Sequence, residues 1–312
     1  MVSLFRNDRR EAGQIVKKIL FAAAAVTTAL ITGAAAVLYR TYIRTDKNKF
    51  GSGTPDELLD WLGKTKHKDT YMISDDGICL HGIVIDNGSD NWAVLVHGYD
   101  SEASGMLGYA RKYHEKGYSV LLPDCRGFGS SGGNETSMGH YEKKDLVKWI
   151  RKLSEETGAK NIVLHGISMG AATVMLTTAE ELPDNVRAAV EDCGYSSVKE
   201  EYEYQMPHTA HLPPYPILWV VDIITRIKCG WSILKDANCV SAVKRARIPI
   251  CFIHGEADKF VPYGMHSKLY DACPRADKEM LAVKGADHAE ACGKAPEEYW
   301  STVFGFIDKH SV

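Results

Sequence analysis

No two of the eight cysteines (79, 125, 193, 229, 239, 251, 273 and 292) stand in C-x-x-C spacing, so the chain carries neither a zinc-ribbon ligand pattern nor a dithiol redox motif. An excess of basic charge is also missing. The 37 lysines and arginines are balanced by 40 aspartates and glutamates, a formal charge of -3. The cations are dispersed without a stripe of basic and aromatic residues, so no nucleic-acid partner is expected. Neither an internal repeat nor a low-complexity tract occurs beyond one apolar run near the N-terminus, which excludes a solenoid or tandem array.

What is present is an ordinary globular composition. In 312 residues, 45% are hydrophobic and 25% charged, enough for one large core or two small ones. A domain of this size needs no disulfide staples, and Cys125, Cys193 and Cys251 sit in or beside apolar runs where cysteine packs as a small hydrophobe. Their placement leans mildly towards a reducing environment.

Residues 19–38 read ILFAAAAVTTALITGAAAVL, twenty positions without a charge, long enough to cross a bilayer as a helix. An uncleaved single-pass anchor in the cell membrane, with the lipid bilayer as its partner, is the favoured reading. A secretory signal peptide is the alternative, with Arg6, Arg9, Arg10, Lys17 and Lys18 as its basic region and Ala34-Ala35-Ala36 as a cleavage site. The apolar run exceeds the usual signal length. Arg40, Arg44, Lys47 and Lys49 follow as they would at a second interface, which also argues against a buried core helix. With five basic residues before the run and four after it, the charge rule leaves the side of the soluble part open.

Beyond a polar connector (residues 45–53), Thr54-Pro55-Asp56-Glu57 predicts a short helix over residues 58–62, with Thr54 as N-cap and Pro55 in the first turn. Strand-like runs follow at residues 70–74, 78–85, 92–97, 119–122, 161–165, 188–192, 249–254 and 278–283, and amphipathic stretches such as 103–116 and 140–156 separate some of them. This alternation predicts an α/β fold with a mostly parallel sheet and helices on both faces. The expected organisation is a basic tail (1–18), the anchor (19–38), a linker with its short helix (39–68) and one domain (69–312). An aromatic- and proline-rich insertion at about 196–248 is expected to cap the carboxyl ends of the strands, where ligands bind in open α/β sheets.

Chemistry-bearing residues sit at the ends of those runs. Gly166-Ile167-Ser168-Met169-Gly170 follows one run and opens an Ala-rich helical stretch, the strand–turn–helix context of a nucleophile elbow. A serine hydroxyl needs a base, and the base an orienting acid. Asp258, after the seventh run, and His288, after the eighth, supply them in the order Ser, Asp, His. Asp192 is a rival acid, while Asp287 is read as a surface residue because neighbours in sequence rarely aim at each other. The backbone amides of Tyr99 and Met169 are the candidate oxyanion donors, with the Tyr99 phenol a further group that can face the site. His208 and His211 lack a third ligand at helical spacing. The glycine-rich stretch 124–133 has no lysine in P-loop register, so it reads as a structural turn.

With His97-Gly98-Tyr99, Asp124-x-Arg126-Gly127-x-Gly129-x-Ser131, Gly166-x-Ser168-x-Gly170, His254-Gly255-x-x-Asp258-x-x-Val261-Pro262 and the His288 loop in place, the chain resembles the α/β-hydrolases over residues 69–310. Within them it looks like the serine aminopeptidase-like and feruloyl-esterase-like branch, and like bacterial N-terminally anchored hydrolases. The resemblance implies an eight-stranded α/β-hydrolase fold and ester hydrolysis through an acyl-enzyme, with no metal or organic cofactor. The substrate expected is a small-molecule ester. Two alternatives stand beside it: a peptidase acting on short peptides, for which Glu200, Glu201 and Glu203 are candidate receivers of a substrate ammonium, and a membrane-tethered binding protein without catalysis. Oligomeric state is not legible.

Overall fold

The computed structural model describes residues 2–45 and 53–311, with side chains described from residue 14 onward. Residues 46–52 of the expected connector, with Lys47 and Lys49, and the side chains of Arg6, Arg9 and Arg10 lie outside the described residues. Alanine-rich and free of proline, α1 (Val2–Leu38) runs without a break into a π-helical turn, Tyr39–Ile43. Its segment Gln14–Ile43 is long and apolar enough to cross a membrane. Ile15, Ile19, Phe21, Val26 and Leu30 are exposed, whereas from Ile31 onward one face is covered: Ala35, Leu38, Tyr39 and Ile43 are buried in the main core.

The short helix α2 (Asp56–Lys64) forms as expected, but its N-cap differs. Pro55 occupies that position and offers no side-chain cap. Thr54 instead turns its hydroxyl to Ser104 Oγ (3.3 Å), and the Leu58 amide is satisfied by the Pro55 carbonyl (2.9 Å). The proline supplies the fixed φ that starts the turn, so the hydroxyl cap is dispensable.

Eight strands make one sheet: β1 (His67–Ile73), β2 (Cys79–Ile85), β3 (Asn91–Val96), β4 (Ser119–Pro123), β5 (Asn161–Ile167), β6 (Val186–Asp192), β7 (Ile250–Gly255) and β8 (Glu279–Val283). Their order is β1-β2-β4-β3-β5-β6-β7-β8. The pairs β1–β2 and β2–β4 are antiparallel and the remainder parallel. Every residue of β4, β5 and β7 is buried, as strands covered on both faces must be. Alternate residues serve two cores. Val94, Leu121, Leu164 and Phe252 pack under α4 (Glu142–Thr157), α5 (Met169–Thr177) and α9 (Gly264–Ala272). Leu95, Leu122, Val163 and Ile253 pack under α3 (Leu107–Glu115), the short α10 (Ala291–Lys294) and α11 (Pro296–His310). This is the expected three-layer arrangement.

Between β6 and β7 the insertion folds as α6 (Val198–Thr209), α7 (Ile217–Lys228) and α8 (Cys239–Val243). Trp231, Tyr202 and Met206 pack it onto the body. Helix α7 also packs along α1, which ties the N-terminal helix to the insertion. All eight cysteines are free thiols, with Cys125, Cys193 and Cys251 in the cores.

Candidate active site

The turn from β5 into α5 is set by close approach. A Cβ on Gly166 would lie 2.2 Å from the Gly170 carbonyl oxygen, and one on Gly170 would lie 2.1 Å from that of Val96. Neither distance is tolerable for a side chain, and the contacts are to backbone, which cannot swing away. Ser168 is left at the apex with φ 55° and ψ -116°, a strained conformation for a residue bearing Cβ. Its amide donates to the Asp192 carbonyl (2.8 Å) and its carbonyl accepts from Ala172 (3.0 Å), so the apex is held from both sides.

His288 Nε2 lies 2.9 Å from Ser168 Oγ, and His288 Nδ1 lies 2.8 Å from Asp258 Oδ2. A carboxylate only accepts, so Nδ1 carries the proton and Nε2 is left to accept the serine hydroxyl proton. Three loops from the carboxyl ends of β5, β7 and β8 thus meet in one hydrogen-bonded line. Asp258 Oδ1 accepts from the amides of Phe260 and Val261, both at 2.8 Å. Burial alone would push this carboxyl up. The hydrogen bonds from His254 and His288 outweigh it and bring the group down to about 2, so it is anionic wherever the protein is folded near neutrality.

His254 is a neighbour that sequence reasoning used only as part of a motif. Its Nε2 donates to the Val261 carbonyl (2.8 Å) and lies 3.2 Å from Asp258 Oδ2, which fixes the loop carrying the acid. The signal was available in the spacing, since a histidine four residues before the acid ends the same strand. Asp287 is exposed, as expected, but it staples the loops: its Oδ1 accepts from the Lys259 and His288 amides (3.2 and 2.9 Å). Asp192 is buried nearby but its carboxyl makes no hydrogen bond to the histidine; its Oδ2 accepts from Tyr299 Oη (2.8 Å). Burial pushes its carboxyl up to about 7.

Met169 opens α5, so its amide is one of the first N–H groups of that helix, which have no carbonyl within the helix to bond. Tyr99 follows β3 on a loop fixed by His97, whose Nδ1 meets the Gly98 carbonyl (2.7 Å) and whose Nε2 accepts from the Cys125 amide (2.9 Å). The Tyr99 phenol donates to the Thr41 carbonyl in the π-helical turn after α1 (2.8 Å), so its hydroxyl is committed there while its ring borders the site. The glycine-rich turn is structural: Asp124 accepts from the Ala103 and Ser130 amides (2.6 and 2.8 Å). His208 meets the Tyr204 carbonyl (2.6 Å), and it is not brought together with acids or cysteines in any cluster of potential metal ligands among the described residues.

Above Ser168 lies an apolar cavity of about 150 Å³. Its walls include Met138, Tyr202, Met206 and Phe260, and also Leu38 at the end of α1 and Tyr42 in the turn that follows it. Those last two were not legible as site residues, because nothing local in residues 38–42 points to a partner far along the chain. Asp100 lines this cavity, its carboxyl pushed up to about 6 by burial, and so does one acid of α6, Glu201. Its Oε1 accepts from Gln205 Nε2 (3.1 Å), while Oε2 has no partner among the described residues. Burial pushes its carboxyl up to about 8. Glu200 and Glu203 are engaged elsewhere, Glu200 with Lys268 and Ser196 and Glu203 with Tyr215.

Residues 78–215 match the family model described as the alpha/beta hydrolase fold, and residues 219–290 match that of the S33 serine aminopeptidases. The chain has the α/β-hydrolase fold. Among curated proteins it is similar to the uncharacterized protein YqkD of Bacillus subtilis, 28% identical over 306 residues that cover 94% of this chain and 98% of that one. It is also similar to the uncharacterized membrane protein YNL320W of Saccharomyces cerevisiae, 23% identical over 76% of this chain and 78% of that one. Among solved structures, the Pyrococcus furiosus esterase Pf2001 shares the fold with a TM-score of 0.70 and 24% identity, over 87% of this chain and 100% of that one.

Proposed function

We propose that the chain is a serine hydrolase of carboxylic esters, held at a membrane by α1, with residues 69–312 as the catalytic domain. The observation that carries this reading is the line Ser168 Oγ–His288 Nε2 (2.9 Å) and His288 Nδ1–Asp258 Oδ2 (2.8 Å) at the floor of an apolar cavity. Ser168 attacks the ester carbonyl carbon as His288 takes its proton. The amides of Tyr99 and Met169 hold the oxyanion, and His288 returns the proton to the departing alcohol. Water then attacks the acyl-enzyme with His288 again as base, freeing the acid and regenerating Ser168. Asp258 orients the imidazole and stabilises its cation.

A peptidase reading draws on one observation, Glu201 facing the cavity with a free oxygen. A carboxyl group raised to about 8 is largely protonated at pH 7, which makes it a donor to a neutral oxygen and a poor counter-ion for a substrate ammonium. Asp100, the other acid of the lining, is pushed up only to about 6 and stays largely ionised at pH 7, so esters are favoured on the otherwise apolar walls of the cavity and not on the lack of an anion. The experiment compares kcat/KM for acyl p-nitrophenyl esters with aminoacyl p-nitroanilides in the wild type, Ser168→Ala and Glu201→Gln. Ser168→Ala is expected to abolish ester turnover, and Glu201→Gln to change it less than about tenfold, the scale of one neutral contact. An anilide preference that collapses in Glu201→Gln overturns the ester reading in favour of an aminopeptidase.

A further inference from the structure

The apolar run of α1 does not end where the protein begins. Over its last eight residues, from Ile31, one face of the helix is covered, with Ala35 and Leu38 buried and Ile31 and Ala34 partly so. Residues 31–38 span about 11 Å of a run that can cross a hydrocarbon core of roughly 30 Å. Whatever packs on that segment lies at the depth of the bilayer margin, and α7 packs along α1.

Helix α7 is built for that position. Trp219, Ile223 and Ile227 recur at i, i+4 and i+8, so they share one face, and they are 56%, 54% and 79% exposed. No acid is exposed on this helix: Asp222 is buried and accepts from Ser232 Oγ (2.5 Å). Its cations, Arg226 and Lys228, stand in the last turn. Lys228 Nζ lies 5.1 Å above the Tyr39 ring, and Arg40 and Arg44 are exposed near the same end of α1. An apolar stripe ending in a basic collar matches hydrocarbon followed by headgroup phosphates.

The cavity adjoins the same place. Leu38, the last residue of the apolar run, and Tyr42, one helical turn on, form part of its wall. We propose that α7 lies in the membrane surface beside α1, and that the cavity receives its acyl group from the bilayer, so that the substrates are membrane-resident acyl esters. This rests on reading Ser168 as an ester-cleaving nucleophile and α1 as a membrane span. Continuity of the α7 stripe with the apolar surface of α1 singles out lipid over a second copy of the chain as its occupant.

The test uses the full chain reconstituted in phosphatidylcholine–phosphatidylglycerol vesicles. Tryptophan quenching by brominated lipid is compared in wild type and Trp219→Phe, and turnover of a long-chain fluorogenic ester embedded in the vesicles is compared with soluble p-nitrophenyl acetate in Ile223→Glu/Ile227→Glu. Quenching is expected to fall in Trp219→Phe. The double variant should lose about tenfold or more on the embedded ester, because two carboxylates now oppose insertion, with acetate turnover unchanged. Equal quenching in both proteins, or an undiminished rate on the embedded ester, overturns the proposal. So does a wild-type dimer that the double variant dissociates, since the stripe would then seat a second copy. Failure of the wild type to cleave either ester while Trp219 is still quenched removes the ester reading and leaves α7 in the bilayer.

Discussion

Two buried acids near His288 differ in one respect that decides their roles. Asp258 Oδ2 is 2.8 Å from His288 Nδ1, whereas Asp192 spends its carboxyl on Tyr299. Asp258→Asn should therefore lower kcat by roughly ten-thousand-fold, because the amide favours the wrong imidazole tautomer. Asp192 meets Ser168 only through its backbone carbonyl, which Asp192→Asn keeps, and its carboxyl makes no hydrogen bond to His288, so that variant should leave kcat within about tenfold. Measuring both in folded preparations separates the assignments, and a larger loss in Asp192→Asn would reverse them. At this scale Ser168, Asp258 and His288 were legible because each sits in a short motif at a strand end. Glu201 was named only as one of three acids. Which of the three faces the cavity depends on how α6 is rotated, and that is a tertiary property.

The elements were legible for a related reason. Parallel strands covered on both faces leave apolar runs that survive in sequence, and each of the eight runs became a strand with its ends displaced by a few residues at most. The N-cap of α2 was misread because Thr54 has a competing partner in Ser104, some fifty residues away. The elbow makes a prediction of its own. Gly170→Ala forces a Cβ against the Val96 and His97 carbonyls, at 2.1 and 2.6 Å, and should cost about 2–3 kcal/mol or more. Gly305→Ala, inside α11 with nothing within 4 Å, should stabilise by about 0.5–1 kcal/mol. Thermal or denaturant unfolding of the two variants checks both. A harmless Gly170→Ala would mean that the β5–α5 turn is looser than its contacts imply.

For the whole molecule, the apolar N-terminal run looked like a separable appendage, joined to the domain by a linker. Its last two turns instead enter the main core and border the cavity over Ser168, a long-range contact that no periodicity in residues 19–38 encodes. The central claim remains the chemistry at the floor of that cavity. Its most direct test is to incubate the full-length protein with a fluorophosphonate and map the adduct by peptide mass spectrometry. A single adduct on Ser168, formed far more slowly in His288→Ala, is the predicted result; an adduct on another serine, or none on folded protein, would contradict it.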